Sequence, residues 1–156
     1  MQDLADVAQD FVGKVRDRSV VIGVIGLGYV GIPLALAALR QGIRVIGFDI
    51  DQARVDQINA GRETIKHIPM DLIVAGLAEG RFEATTDFDR LSEPDALLIC
   101  VPTPLSRQRE PDLSYVAKTT RQIARTLRPG QLIVLESTTY PGTVAEVMKP
   151  ILERAG

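Results

Sequence analysis

The segment VIGVIGLGYVGIPLALAALRQGIRVIGFD, residues 21–49, runs from a short apolar stretch through a glycine cluster and a helix-length apolar pattern to a second apolar stretch closed by an acid. SVVIGVI (19–25) is β-branched and apolar on both faces, as an interior strand of a parallel sheet requires. A helix is expected from about Tyr29 to Gln41, stopped by Gly42, and RVIGFD (44–49) reads as the second strand. The three parts make one β-α-β unit. Between strand and helix, Gly26-Leu27-Gly28-Tyr29-Val30-Gly31 spells G-x-G-x-x-G. Gly26 permits a tight turn, Gly28 lets a pyrophosphate approach the backbone, and Gly31 lets helix and strand pack closely. The free N–H groups and positive end of the helix then face the phosphates. Pro33 is tolerated only in the first helical turn, which sets the start of the helix no earlier than Tyr29.

Asp49 lies 18 residues past Gly31, at the end of the second strand, close to the spacing of a dinucleotide fingerprint. A carboxylate there accepts hydrogen bonds from the adenosine ribose and repels a 2′-phosphate, so NAD is favoured over NADP. Arg54 leaves three readings open: a partner for such a phosphate, a cover over the adenine, or a solvated helix residue.

Outward from this unit the alternation continues. DQARVDQINAG (51–61) is a helix started by Asp51 and stopped by Gly61, and a short helix is expected from Asp71 to Leu77. RFEATTD (81–87), DALLICV (95–101) and QLIVLES (131–137) are the third, fourth and fifth strands. SYVAKTTRQIARTL (114–127) places Val116, Thr120, Ile123, Ala124 and Leu127 on one helical stripe, ended by Pro129-Gly130, and a last helix runs from about Val144 to Arg154. Such alternation predicts an α/β fold: a Rossmann-type, doubly wound parallel sheet with right-handed crossovers. With strand order 3-2-1-4-5-6 the chain is truncated before the sixth strand. Strand five is then an unpaired edge, which leads us to expect a homo-oligomer. Ahead of the domain (19–156), the segment 1–18 carries Leu4, Val7, Ala8, Phe11, Val12 and Val15 at helical spacing, an amphipathic helix expected to bury one stripe on the domain.

With 156 residues, 46% of them hydrophobic, the chain suits one ordinary domain. A formal charge of −2 from 18 basic and 20 acidic residues offers no lure for nucleic acid or an anionic membrane, and neither partner is expected. Residues 1–18 lack the pattern of a secretory signal, and no apolar run approaches the ~20 residues that span a bilayer. The single cysteine, Cys100, cannot form a disulfide framework or a thiolate zinc site, so no metal is expected. We expect a soluble, cytoplasmic protein.

Ligands of open parallel sheets sit beyond the carboxyl ends of the strands. Two segments lie there, VPTPLS (101–106) and ESTTYPGT (136–143). Val101, Pro102 and Thr103 on the first, with Ser137 and Thr138 on the second, are candidate contacts; for the hydroxyls the competing reading is local capping of the backbone. Cys100 reads as a small core hydrophobe with no base beside it. His67, the only histidine, has no visible acid or nucleophile partner. REPDLS (109–114) reads as a solvent-facing turn and helix cap.

Taken together, GLGYVGIPLA (26–35), FDIDQAR (48–54), CVPTPL (100–105) with EPDLSYV (110–116), and LESTTYPGT (135–143) resemble the UDP-glucose/GDP-mannose dehydrogenase family. Its enzymes oxidise the C6 alcohol of a nucleotide sugar to a carboxylate, reducing two NAD+ in succession. Within the family the wording Glu-Ser-Thr-Thr-Tyr-Pro-Gly looks most like the UDP-N-acetylglucosamine 6-dehydrogenase branch; the UDP-glucose branch usually has lysine where this chain has Glu136. The resemblance implies an NAD site lined by Gly26 to Gly31, Asp49, Arg54, Val101 to Thr103 and Thr138. It also implies that the family's catalytic cysteine, lysine, asparagine and glutamate lie beyond this chain, in the remainder of the NAD domain and the UDP-sugar domains, so that no catalytic residue is assigned here. Hydride acceptance alone cannot complete alcohol-to-acid oxidation, which needs a base and a covalent thiohemiacetal. The isolated chain is therefore expected to bind NAD weakly and to turn over no UDP-sugar. Alternatives are a UDP-N-acetylmannosamine or UDP-glucose dehydrogenase domain, a non-catalytic dinucleotide-binding module, or an S-adenosylmethionine-dependent methyltransferase, against which the Gly28 position argues.

Overall fold

A computed structural model describes residues 3–155. Five short strands, β1 (Val21–Ile25), β2 (Arg44–Phe48), β3 (Phe82–Thr85), β4 (Ala96–Ile99) and β5 (Leu132–Leu135), pair in parallel in the order β3-β2-β1-β4-β5. The doubly wound sheet expected from the alternation is present. β1 is central, and its last residue, Ile25, is level with Phe48 on one side and Ile99 on the other. Three strand ends thus open onto one edge of the sheet.

Period-two alternation sends neighbouring side chains to opposite layers. Val24 and Val45 join the core beneath α2 (Gly31–Arg40), α3 (Gln52–Asn59) and α4 (Asp71–Glu79). Ile25, Ile46 and Phe48 join the opposite core, with Leu97 and Ile99 and with Val116 and Ile123 of α5 (Ser114–Thr126). Each fully buried Ile, Leu or Phe contributes roughly 1.5–3 kcal/mol, so both layers are needed to hold a sheet of four- and five-residue strands.

Several elements differ from expectation in ways that bear on function. β4 ends at Ile99, so Cys100 is the first residue past the strand, although its N–H still bonds the Ile25 carbonyl at 2.7 Å. α5 buries Thr119 with Val116, Thr120 and Ile123, while Leu127 leaves the helix at ψ 132° and stays exposed. The last helix is composite: a π-turn (Val144–Met148) runs into α6 (Lys149–Glu153), with the Lys149 N–H reaching back to Val144. Pro150 has no N–H for the Glu146 carbonyl, and the wider turn accommodates that loss.

α1 (Leu4–Asp17) forms, yet none of its residues is buried. Val7 and Phe11 are half-covered, whereas Leu4, Val12 and Val15 face solvent. The helix is fixed by polar contacts at the sheet's lower edge instead. Asp95 accepts from Lys14 Nζ (2.9 Å), the Val21 N–H (2.9 Å) and Arg128 Nη2 (3.2 Å).

Candidate functional site

At the carboxyl edge of the sheet a cavity of about 630 Å³ opens between the glycine turn, the end of β2 and the loops after β4 and β5. That size suits a ligand as large as a cofactor. Gly26, Leu27, Gly28, Tyr29, Val30, Asp49, Arg54, Val101, Pro102, Thr103, Ser137 and Thr138 all line it. Gly31 does not; it is buried within the turn.

The three glycines answer to different constraints. Gly26 sits at φ 96°, a conformation costly for other residues, and a Cβ there would lie 2.6 Å from the Cys100 carbonyl oxygen. At Gly31 a Cβ would collide with the Gly26 carbonyl. At Gly28 neither constraint applies: no neighbouring protein atom lies within 4 Å of where its Cβ would stand. The space over Gly28 is open, and Val30, the N-cap of α2, provides no side-chain hydrogen bond to the helix's first N–H groups. Ile32 and Leu34 donate to the Gly28 and Val30 carbonyls (3.1 and 3.3 Å) and Pro33 has no N–H, so the amides left for an approaching anion are those of the turn, Gly28, Tyr29 and Val30, which donate to none of the described residues.

Asp49 is buried at this corner, its side chain 5% exposed. Oδ2 accepts from the Leu27 N–H (2.9 Å) and Arg54 Nη1 (3.2 Å), and Oδ1 from the Asp51 N–H (3.0 Å). The carboxylate therefore ties the glycine turn to the start of α3. Oδ1 retains an acceptor position for a ligand hydroxyl. Arg54 pairs with Asp49, and its side chain is 42% exposed.

The hydroxyls beyond β4 and β5 hold the two loops together. Ser137 Oγ donates to the Val101 carbonyl (2.7 Å) and Thr103 Oγ1 to the Thr138 carbonyl (2.7 Å). Two of the candidate hydroxyls thus give their protons to backbone, not within their own turns as local capping would have it but across to the other loop. Cys100 lines the cavity and packs against the α2 layer. Burial, reinforced by the nearby Glu136 carboxylate, pushes its thiol up to about 12, so little thiolate forms at neutral pH. His67 is exposed in the loop before α4, at φ 66°. Among the described residues no group of three or more His, Cys, Asp or Glu could hold a metal ion, and no helix is long and apolar enough to cross a membrane.

Sequence reasoning missed the wall supplied by α5, where Tyr115, Lys118, Thr119 and Gln122 line the cavity, and the contribution of Ile50 and Phe88. Phe88 stacks in a tilted arrangement on Phe48, ring centres 5.9 Å apart. The available signal was Thr119, one position before the expected stripe member Thr120 and helically adjacent to Val116 and Ile123.

The sequence profile of the UDP-glucose/GDP-mannose dehydrogenase family, NAD binding domain, matches residues 20–156. The chain is 44% identical over 128 residues to an NDP-N-acetyl-D-galactosaminuronic acid dehydrogenase of Ralstonia nicotianae, covering 81% of this chain and 29% of that protein. It is 41% identical over 134 residues to a UDP-N-acetyl-D-mannosamine dehydrogenase of Escherichia coli, covering 85% of this chain and 31% of the other. Among solved structures, a ternary complex of GDP-mannose dehydrogenase from Pseudomonas aeruginosa superimposes with a TM-score of 0.81 at 34% identity, over 86% of this chain and 32% of that one. The chain thus spans about a third of the length of these relatives.

Proposed function

This chain belongs to the UDP-glucose/GDP-mannose dehydrogenase family as its NAD-binding domain, and from that membership we propose that the cavity over Gly28 and Asp49 seats the cofactor. The pyrophosphate lies on the amides of the glycine turn at the head of α2, the adenosine ribose at Asp49, and the nicotinamide half toward Thr103 and Thr138. One observation carries this reading: Gly28 has no packing partner that requires glycine, so the space above it is left for a ligand. NAD rather than NADP fits the corner, because the Asp49 carboxylate repels a 2′-phosphate and Arg54 is already paired to it.

When bound, NAD supplies the hydride acceptor. The chain's own residues bind and orient: amides neutralise phosphate charge, Asp49 holds a ribose hydroxyl, and the Ser137 and Thr103 hydrogen bonds keep the two strand-end loops at a constant separation. The high Cys100 pKa speaks against a nucleophilic role. The parent protein is proposed to oxidise the C6 alcohol of a UDP-linked N-acetylhexosamine, UDP-N-acetylglucosamine by the wording of residues 136–142. The relatives' named substrates, also 2-acetamido sugars, support that class. The base and nucleophile lie outside this chain, which by itself forms no NADH from UDP-sugars.

Calorimetry with NAD, NADP and S-adenosylmethionine, on the wild type and on Asp49→Ala, tests the seat. NAD is expected to bind tightest, and the substitution to reduce NAD affinity about tenfold while narrowing the NAD-to-NADP ratio. Equal losses for the two dinucleotides would remove Asp49 from ribose recognition.

A further inference from the structure

We propose that Thr119 and Gln122, on the cavity-facing stripe of α5, read the adenine edge of the dinucleotide; the assignment rests on the cofactor seat proposed above. Residues 115, 118, 119 and 122 recur at the three- and four-residue spacing of one helical face, and all four line the cavity. Their neighbours place them at its adenosine end. Val116 and Ile123, on the adjoining face of α5, share a core with Phe48, the residue before Asp49. The aromatic wall of Phe48 and Phe88 stands on the same side.

Thr119 is unusual among the polar groups of this region. The next residue, Thr120, donates back to the Val116 carbonyl at 2.7 Å, which satisfies a hydroxyl buried in the helix layer. Thr119, 7% exposed, makes no side-chain hydrogen bond among the described residues. Among the described residues no side-chain oxygen or nitrogen sealed from solvent lacks a partner, so the Thr119 hydroxyl opens on the cavity it lines. A polar group kept nearly buried and unpartnered, with one open side, is matched to a ligand atom. Gln122 is half-buried on the same stripe; its Oε1 accepts from Arg125 at 3.3 Å, while its Nε2 donates to none of the described residues.

The pair offers what adenine needs. The Gln122 amide donates to a ring nitrogen beside the exocyclic amine, and the Thr119 hydroxyl accepts from that amine. Hypoxanthine reverses the sense of both positions, with an oxygen in place of the amine and a protonated ring nitrogen next to it. The Thr119 hydroxyl can turn to donate to that oxygen, but Gln122 Nε2, with its Oε1 held by Arg125, would face the ring N–H donor to donor, a mismatch that discriminates when the groups are buried.

The test is calorimetry of the 156-residue chain with NAD and with nicotinamide hypoxanthine dinucleotide, for the wild type, Thr119→Val and Gln122→Leu. The wild type should favour NAD by about tenfold, the discrimination typical of one paired base edge. Gln122→Leu should bring the ratio toward one, whereas Thr119→Val should weaken both dinucleotides alike, a loss that Thr119→Ser should restore. Gln122 lies only partly in the core, so its variant keeps the measurement open if Thr119→Val melts early. A wild-type ratio near one, a ratio that survives Gln122→Leu, or affinities unmoved by Thr119→Val would overturn the adenine assignment while leaving the cofactor seat standing. Failure of the wild type to bind either dinucleotide would overturn the seat, and this inference with it.

Discussion

A methyl group on Gly31 would strike the Gly26 carbonyl oxygen and press on Val24. The obstacle is backbone rather than the end of a flexible chain, so the turn must open to admit it. Gly31→Ala is expected to cost about 3 kcal/mol in a urea melt and to abolish NAD binding together with it. Asp49 differs in kind, because its carboxylate has a structural part beside the recognition part proposed for it. Its bond to the Leu27 N–H holds the glycine turn against β2, so an Asp49 substitution is expected to perturb the proposed phosphate seat as well as the proposed ribose contact. Cys100, by contrast, contributes its carbonyl and its backbone position to Gly26 rather than a reactive sulfur.

Asp95 joins four elements: β4, which it precedes; α1 through Lys14; β1 through the Val21 amide; and the turn before β5 through Arg128. Burial raises the carboxyl's pKa, but the donated hydrogen bonds from Lys14, Val21 and Arg128 prevail and hold it below the ordinary carboxylate range. A lowered folded-state pKa means that the unfolded chain takes up protons first as the solution is acidified. The contribution is present above the ordinary aspartate pKa and is lost as pH falls through the folded value, below about 4. Asp95→Asn is expected to cost about 2–3 kcal/mol at pH 7 and to flatten the acid limb of the stability curve. Faster amide exchange confined to residues 4–17 in the variant would show that α1 is the element released. The apolar stripe of α1 offers little resistance, since none of its residues is buried.

Both layers line the cavity, which draws its walls from the α2 side through the glycine turn and from the α5 side through Thr119 and Gln122. A ligand bridging both layers and binding only the folded state raises its stability by mass action. At a hundred times the dissociation constant the gain is about 2.7 kcal/mol. For a chain of this length that corresponds to a rise of about 5–10 °C in the melting temperature, read by differential scanning calorimetry with NAD and absent with S-adenosylmethionine. An unchanged melting temperature at saturating NAD would contradict the bridging.

Order of elements, direction of strands and the identity of the glycine turn were legible in the chain itself, because each rests on periodicity and spacing within some thirty residues, as in 21–49. Asp49 was legible for the same reason: a parallel β-α-β unit returns to the same edge of the sheet, and the acid ending its second strand must arrive beside the turn. The roles of Ser137 and Thr103 were not, since a hydroxyl's partner depends on which distant carbonyl comes within 2.7 Å. Nor was the α5 wall. Its four residues are an ordinary polar helix face until right-handed crossovers carry that helix over Phe48, and only the packing of Val116 and Ile123 decides which way Thr119 and Gln122 turn.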